Sequence, residues 1–121
     1  MSGDLLTVAA ESSLREAARA MNDRRVGAVV VLDGRRLVGI LTERDVLRAV
    51  ATERLESAVR DVMTHAPDTI ESDDTTGHAA SLMIHGGFRH LPVVDGDDVV
   101  GIVSIRDLMR VQLDDESPRG A

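Results

Sequence analysis

A chain of 121 residues can bury roughly two thirds of its unfolded surface, enough for one compact domain or two small halves sharing a core, and too short for a two-domain enzyme. Its composition, 43% hydrophobic and 29% charged, is that of a globular protein, and with Phe88 as the sole aromatic its core must be aliphatic. A formal net charge of -7 argues against sequence-independent binding to nucleic acid or an anionic membrane, yet leaves a small anion to local basic groups such as Arg24-Arg25 and Arg89-His90. Arg35-Arg36, beside a turn, reads as solvated surface. The absence of Cys excludes disulfides and thiolate zinc sites. Met1-Ser2-Gly3-Asp4 lacks a basic leader and no apolar run is long enough to cross a bilayer, so a cytoplasmic location is expected.

Leu5 to Val8 suits a short strand. Ser13 and Glu16 have capping-box spacing, and Leu14, Ala17, Ala18 and Met21 then place one apolar face on a helix that Asn22-Asp23-Arg24-Arg25 ends. Val26 to Leu32 is a β-branched run, Asp33-Gly34 is a hairpin turn, and Leu37 to Leu41 is the returning strand. A second helix opens at Thr42. From Ala51 to Thr64 the spacing of Leu55, Val59 and Val62 predicts a mostly helical linker, and Pro67 predicts that Ala66 is extended. The last residues, from Asp114, have almost nothing to bury and are expected to lack fixed structure.

The plan then repeats without insertion or deletion. Thr7 matches Thr69, Met21 matches Met83, Asp33-Gly34 matches Asp95-Gly96 and Arg44-Asp45 matches Arg106-Asp107, a constant separation of 62 residues. A duplicated supersecondary unit explains this, and each unit alone has too little core, so the halves are expected to bury a shared face about a pseudo-twofold axis. In each unit a strand ends at a hydroxyl residue and a helix follows: Gly39-Ile40-Leu41-Thr42-Glu43-Arg44-Asp45 and Gly101-Ile102-Val103-Ser104-Ile105-Arg106-Asp107. Such a junction has two readings. The hydroxyl and the Asp can simply cap the helix, worth about 1 kcal/mol, or they can meet a phosphate and a sugar diol at the helix start. Both require the same residue types.

The tandem strand-helix-strand-strand-helix order with Gly-hydrophobic-x-Thr/Ser-x-x-Asp resembles the cystathionine β-synthase (CBS) domain, here as a pair, from about Leu5 to about Leu113. Val26 to Asp33, Phe88 to Asp95 and the lead-in Val59-Arg60-Asp61-Val62-Met63-Thr64 carry the resemblance further. It implies an α+β fold of two β-α-β-β-α repeats, residues 1–60 and 61–113, with 114–121 as a tail. It also implies a regulatory module that binds AMP, ADP, ATP or S-adenosylmethionine between the repeats, usually as a homodimer, with a partner enzyme or transporter reading its state and no obligatory cofactor. Carried over by residue, the second site comprises Thr64, His65, Ile70, Arg89, His90, Leu91, Ser104, Arg106 and Asp107. Asp107 would take the ribose hydroxyls, Ser104 the phosphate oxygens, and Arg89 or His90 a phosphate across the cleft. The first site comprises Val8, Ala28, Val29, Thr42, Arg44 and Asp45. It has no counterpart of Met63 to Pro67 before its first strand, so its adenine wall is expected to be incomplete. Where the first motif has Glu43 the second has Ile105, which implies apolar contact with a ligand, the other repeat or another chain.

Other chemistry finds little support. His78 and His85 share a helix face at a spacing that suits ordinary surface histidines better than a metal, and His90 is as consistent with a structural hydrogen bond as with phosphate contact. Met21, Met63, Met83 and Met109 fit core or dimer surface. No nucleophile, base and orienting group occur together, so no catalytic residue is expected. A nucleotide sensor is the function expected, with a ligand-free dimerisation or docking module as the competing one.

Overall fold

The computed structural model describes residues 5–109; the tail expected from Asp114 onward lies outside them. The first unit runs β1 (Thr7–Ala9), α1 (Leu14–Arg24), β2 (Ala28–Asp33), β3 (Arg36–Thr42) and α2 (Glu43–Ala51). A single-turn α3 (Val59–Val62) and the short β4 (Thr64–His65) lead into β5 (Ile70–Glu71), α4 (Thr76–Gly86), β6 (His90–Asp95) and β7 (Asp98–Ser104). A last helix, α5, begins at 105 and is described to 109. This is the α+β arrangement of two β-α-β-β-α repeats.

Local chemistry places each element. Ser13 Oγ accepts the Glu16 N–H at 3.1 Å and starts α1, whose buried face is Leu14, Ala17 and Met21. Gly34 and Gly96 occupy φ of 63° and 64° at the two hairpin turns, a conformation that costs glycine nothing. The duplication extends to single hydrogen bonds. Val8 pairs with Val31 as Ile70 does with Val93, and Ala28 pairs with Thr42 as His90 does with Ser104. Both hairpins shift register at the same place, after Val31 and after Val93. The Glu43 N–H donates to the Gly27 carbonyl at 2.9 Å, and the Ile105 N–H to the Arg89 carbonyl at 2.8 Å.

The apolar interior has two parts within the units and a face between them. Two separate clusters form: Leu14, Ala17, Met21, Val29, Val31, Leu41 and their neighbours in the first unit, and Ile70, Ala79, Met83, Leu91, Val93 and Leu108 in the second. Side chains alternate along a strand, so Val30 and Ile40 point away from the first cluster, yet they are buried. Pro92, the counterpart of Val30, is buried too. Each sheet therefore has one face on its own helices and the other covered by the opposite unit.

Between the units the helical expectation fails over most of its length. Residues 52–58 are not helical: the chain turns after α2, with the Arg54 N–H on the Ala49 carbonyl at 2.7 Å and the Ser57 N–H on the Arg54 carbonyl at 3.0 Å, and it is tied to the first unit where the Leu14 N–H donates to the Ser57 carbonyl, the Val59 N–H to Ser12 and the Arg60 N–H to Ala10, at 3.0, 2.8 and 2.9 Å. Val59, fully buried, pins this crossing into the first cluster. β4 then adds to the edge of the first sheet, giving the order β1-β2-β3-β4, whereas β5-β6-β7 forms the second sheet among the described residues. Ala66 is not extended but left-handed, at φ 44°; its N–H is committed to the Val38 carbonyl at 3.2 Å as the chain turns off the sheet.

Candidate functional site

Both strand-to-helix junctions form reciprocal caps. Thr42 Oγ1 accepts the Asp45 N–H at 3.1 Å while Asp45 Oδ2 accepts the Thr42 N–H at 3.0 Å; Ser104 and Asp107 do the same at 3.0 and 3.0 Å. The capping reading is therefore correct at both places, and it does not exclude the other, since each carboxylate and hydroxyl oxygen has more than one lone pair.

What separates the two junctions is their surroundings. Asp45 is only 4% exposed: the Thr64 hydroxyl donates to Oδ2 and the Arg48 guanidinium to Oδ1, both at 3.4 Å. Asp107, by contrast, stands on the wall of a cleft of about 800 Å³ between the units. That volume lies within the range, roughly 300–1,000 Å³, of small-molecule sites. Its second-unit wall presents Arg89, His90, Ser104, Ile105, Arg106 and Asp107; its first-unit wall presents Met21, Arg25, Gly27, Ala28, Glu43 and Val46.

The grouping expected from the sequence is thus exchanged. Thr64 and His65, placed beside Asp107, belong to β4 and pair with Ile40 and Gly39 of the first sheet, and Thr64 reaches Asp45. Ala28, placed beside Asp45, lines the cleft of Asp107. The reasons differ: Thr64 reaches Asp45 because β4 pairs with β3 at the edge of the first sheet, and Ala28 meets the Asp107 wall because a cleft between two units draws one wall from each. Ile70 and Leu91 are buried in the second apolar cluster and Val29 in the first, with Val8 packed on it, so none of the four faces the cleft. Arg44 is exposed and outside the cleft lining. Arg89, His90, Ser104, Arg106 and Asp107 are brought together as expected.

Sequence reasoning missed Met21 and Val46 as cleft residues. Met21 reads from the sequence as core or dimer surface, and it does serve the core at 5% exposure; only its place near the end of α1 hints at more. Ile105 contributes an apolar surface to the same cleft, which its counterpart Glu43 lines from the other unit.

His90 is half-buried where the walls meet. Burial holds its pKa below the ordinary 6.5, with Arg89 pushing the same way, while the carboxylates of Glu43 and Asp107 partly oppose the shift. It is neutral at pH 7. Among the described residues no cluster of His, Asp and Glu has metal-binding form, and no helix is long and apolar enough to cross a membrane.

A duplicated unit whose two copies enclose a cleft, with a cap residue and an Asp on its wall, defines a paired-repeat protein. The CBS domain family pattern matches residues 1–52 and 59–114, and the chain belongs to that family. A relative from Acidianus ambivalens, described as an uncharacterized 17.7 kDa protein, is 39% identical over 104 residues, covering 84% of this chain and 63% of its own. Other curated relatives are longer, and this chain spans as little as 19% of them. Among solved structures, the CBS domain pair of protein MJ0100 in complex with 5′-methylthioadenosine and S-adenosyl-L-methionine superposes with a TM-score of 0.89 at 28% identity, covering 96% of this chain and 94% of that one. The CBS domain protein PAE2072 of Pyrobaculum aerophilum, complexed with AMP, gives 0.82 at 30% identity, covering 88% and 85%.

Proposed function

We propose that this chain is a regulatory module that binds an adenosine-containing ligand in the cleft between its repeats and signals through the packing of the repeats or of two chains. The observation that carries the reading is the contrast between the junctions: Asp45 is sealed under Thr64, whereas Asp107 and Ser104 face about 800 Å³ of space walled by both units. Asp107, held by its cap bond to the Ser104 N–H, accepts the vicinal ribose hydroxyls. Ser104 Oγ already accepts the Asp107 N–H, which leaves its own O–H to donate to a phosphate oxygen. Arg89 and His90 supply positive charge and a ring N–H at the same wall, and Ala28 with the neighbouring backbone of β2 offers the opposite surface to the base. Structural neighbours that bind AMP, 5′-methylthioadenosine and S-adenosylmethionine support the ligand class.

A ligand that touches both walls favours the packing in which the walls are correctly spaced, which is all that coupling requires. Two chains pair through the exposed apolar residues Leu47 and Val50 of α2 and Met109 of α5, which are 63%, 53% and 57% exposed and otherwise leave apolar area in water. A partner protein reads the change. Isothermal titration calorimetry and thermal melts with AMP, ATP, S-adenosylmethionine and adenosine test the reading. A ligand at a hundred times its dissociation constant adds about 2.7 kcal/mol to stability. If none of these compounds releases heat or shifts the melt, the ligand-free docking module replaces the sensor.

A further inference from the structure

We infer that Arg25 holds a phosphate of the bound ligand from the first-unit wall, and so makes the Asp107 cleft selective for phosphorylated adenosines over S-adenosylmethionine. The inference rests on the cleft reading above and deepens it. Arg25 is the C-cap of α1 and adopts φ 55°, ψ 43°, the left-handed conformation that glycine takes freely and that costs other residues strain. The second unit is an internal control. At the same place, 62 residues on, α4 ends in Gly87 at φ 75°, the residue type this backbone favours. The two helix ends are Arg24-Arg25 and Gly86-Gly87. The first unit thus keeps a strained arginine where its own duplicate shows that glycine serves the fold. Strain of this kind persists where a side chain has work to do.

That side chain lines the cleft, and among the described residues it makes no ion pair and no hydrogen bond. It faces a wall carrying Arg89 and Arg106, which also lack ion-pair partners among the described residues. Against these three cations stand the carboxylates of Glu43 and Asp107, so with His90 neutral the lining carries net positive charge inside a chain of net charge -7. With Asp107 engaged by the ribose, the excess falls on whatever group extends from the sugar: it attracts a phosphate and repels a sulfonium. Arg25 comes from one repeat and Arg89 and Arg106 from the other, so the phosphate bridges the units. In the related position at the Asp45 junction, the helix end offers Gly87 in place of a cation, and one phosphorylated ligand per chain is expected.

Calorimetric titration of wild type, Arg25→Gly and Arg25→Lys with AMP, adenosine and S-adenosylmethionine tests this. Arg25→Gly should fold normally and melt at or up to about 5 °C above wild type, since it restores the residue its duplicate uses. It should bind AMP about tenfold more weakly, the worth of one charge-assisted hydrogen bond, leave adenosine within twofold, and narrow the preference over S-adenosylmethionine. Arg25→Lys should recover part of the loss. Equal weakening of AMP and adenosine, or AMP binding unchanged in Arg25→Gly, overturns the assignment while leaving the cleft reading in place. Wild type that binds none of the three compounds overturns the cleft reading and this inference with it.

Discussion

Exchanging each motif Asp for Ala separates the sealed junction from the open one. In Asp45→Ala three contacts are lost from a residue that is 4% exposed: the Thr42 N–H, the Thr64 hydroxyl and the Arg48 guanidinium. The half-buried cap N–H is left without its partner, and the total is about 2–3 kcal/mol of stability. For a chain of this size about 1 kcal/mol moves the melting temperature by roughly 4 °C, so a fall of about 8–12 °C is expected. AMP affinity, measured below that temperature, should change by less than about threefold, since the proposed ribose acceptor is Asp107 and not the sealed carboxylate. Asp107→Ala loses the bond to the Ser104 N–H, worth about 1 kcal/mol and roughly 4 °C. Under the proposed function it also loses both ribose hydroxyls; at about 1.5 kcal/mol for each bond to a charged group, the AMP dissociation constant should rise about 100-fold. Differential scanning fluorimetry gives the stabilities and calorimetry the affinities. The reasoning is refuted if a folded Asp45→Ala loses AMP while Asp107→Ala binds as wild type does.

Four further outcomes follow from single residues. A Cβ at Gly39 would lie 2.5 Å from Met63 Sδ and 2.8 Å from the Thr64 carbonyl oxygen, so Gly39→Ala should push β4 off the sheet, cost on the order of 2–3 kcal/mol and lower the melting temperature by about 8–12 °C; a loss under about 2 °C would show that β4 docks loosely. Because burial lowers the His90 pKa in the folded state, the unfolded chain takes up its proton first as the pH falls, so stability should drop from about pH 6.5 downward until the folded-state value is passed, and His90→Gln should flatten that drop in melts across pH. A phosphate beside His90 raises its pKa again, so AMP should bind more tightly as the pH falls over the same window, and an affinity independent of pH would remove His90 from the phosphate. Under the proposed pairing, wild type should sediment as a dimer, and Leu47→Asp, at a position 63% exposed, should leave the monomer folded and yield monomers in sedimentation velocity.

Much of the fold was legible because it is local. The capping pair Ser13 and Glu16, the turn glycines and the alternation of Val29, Val30 and Val31 each depend on neighbours a few residues away, and each reappears 62 residues later. Half of the capping box at Ser13 formed: its hydroxyl takes the Glu16 N–H. The linker misled for the opposite reason. Leu55, Val59 and Val62 have helical spacing, and Val59 to Val62 does form one turn, but before it the chain turns on the Ser57–Arg54 bond and gives the Ser57 carbonyl to the Leu14 N–H, a tertiary hydrogen bond that outweighs a weak local preference. Ala66 shows the same override, since the bond to Val38 and the exit from the sheet hold it left-handed against the preference that Pro67 imposes.

By itself the sequence determined that two copies of one β-α-β-β-α unit exist, that each ends in a capped helix start carrying an Asp, and that the chain resembles paired CBS repeats. Those are properties of pattern and spacing, and they survive without knowing how the copies meet. Only the tertiary structure decided which copy of the motif is open, which side chains share its cleft and that the walls are exchanged between units, with Thr64 on Asp45 and Ala28 and Arg25 opposite Asp107. The physical reason is that these partners are remote in sequence: Thr64 reaches Asp45 because β4 joins the edge of the first sheet, and Ala28 and Arg25 meet the Asp107 wall across the cleft between the units, and no periodicity of a single strand records either.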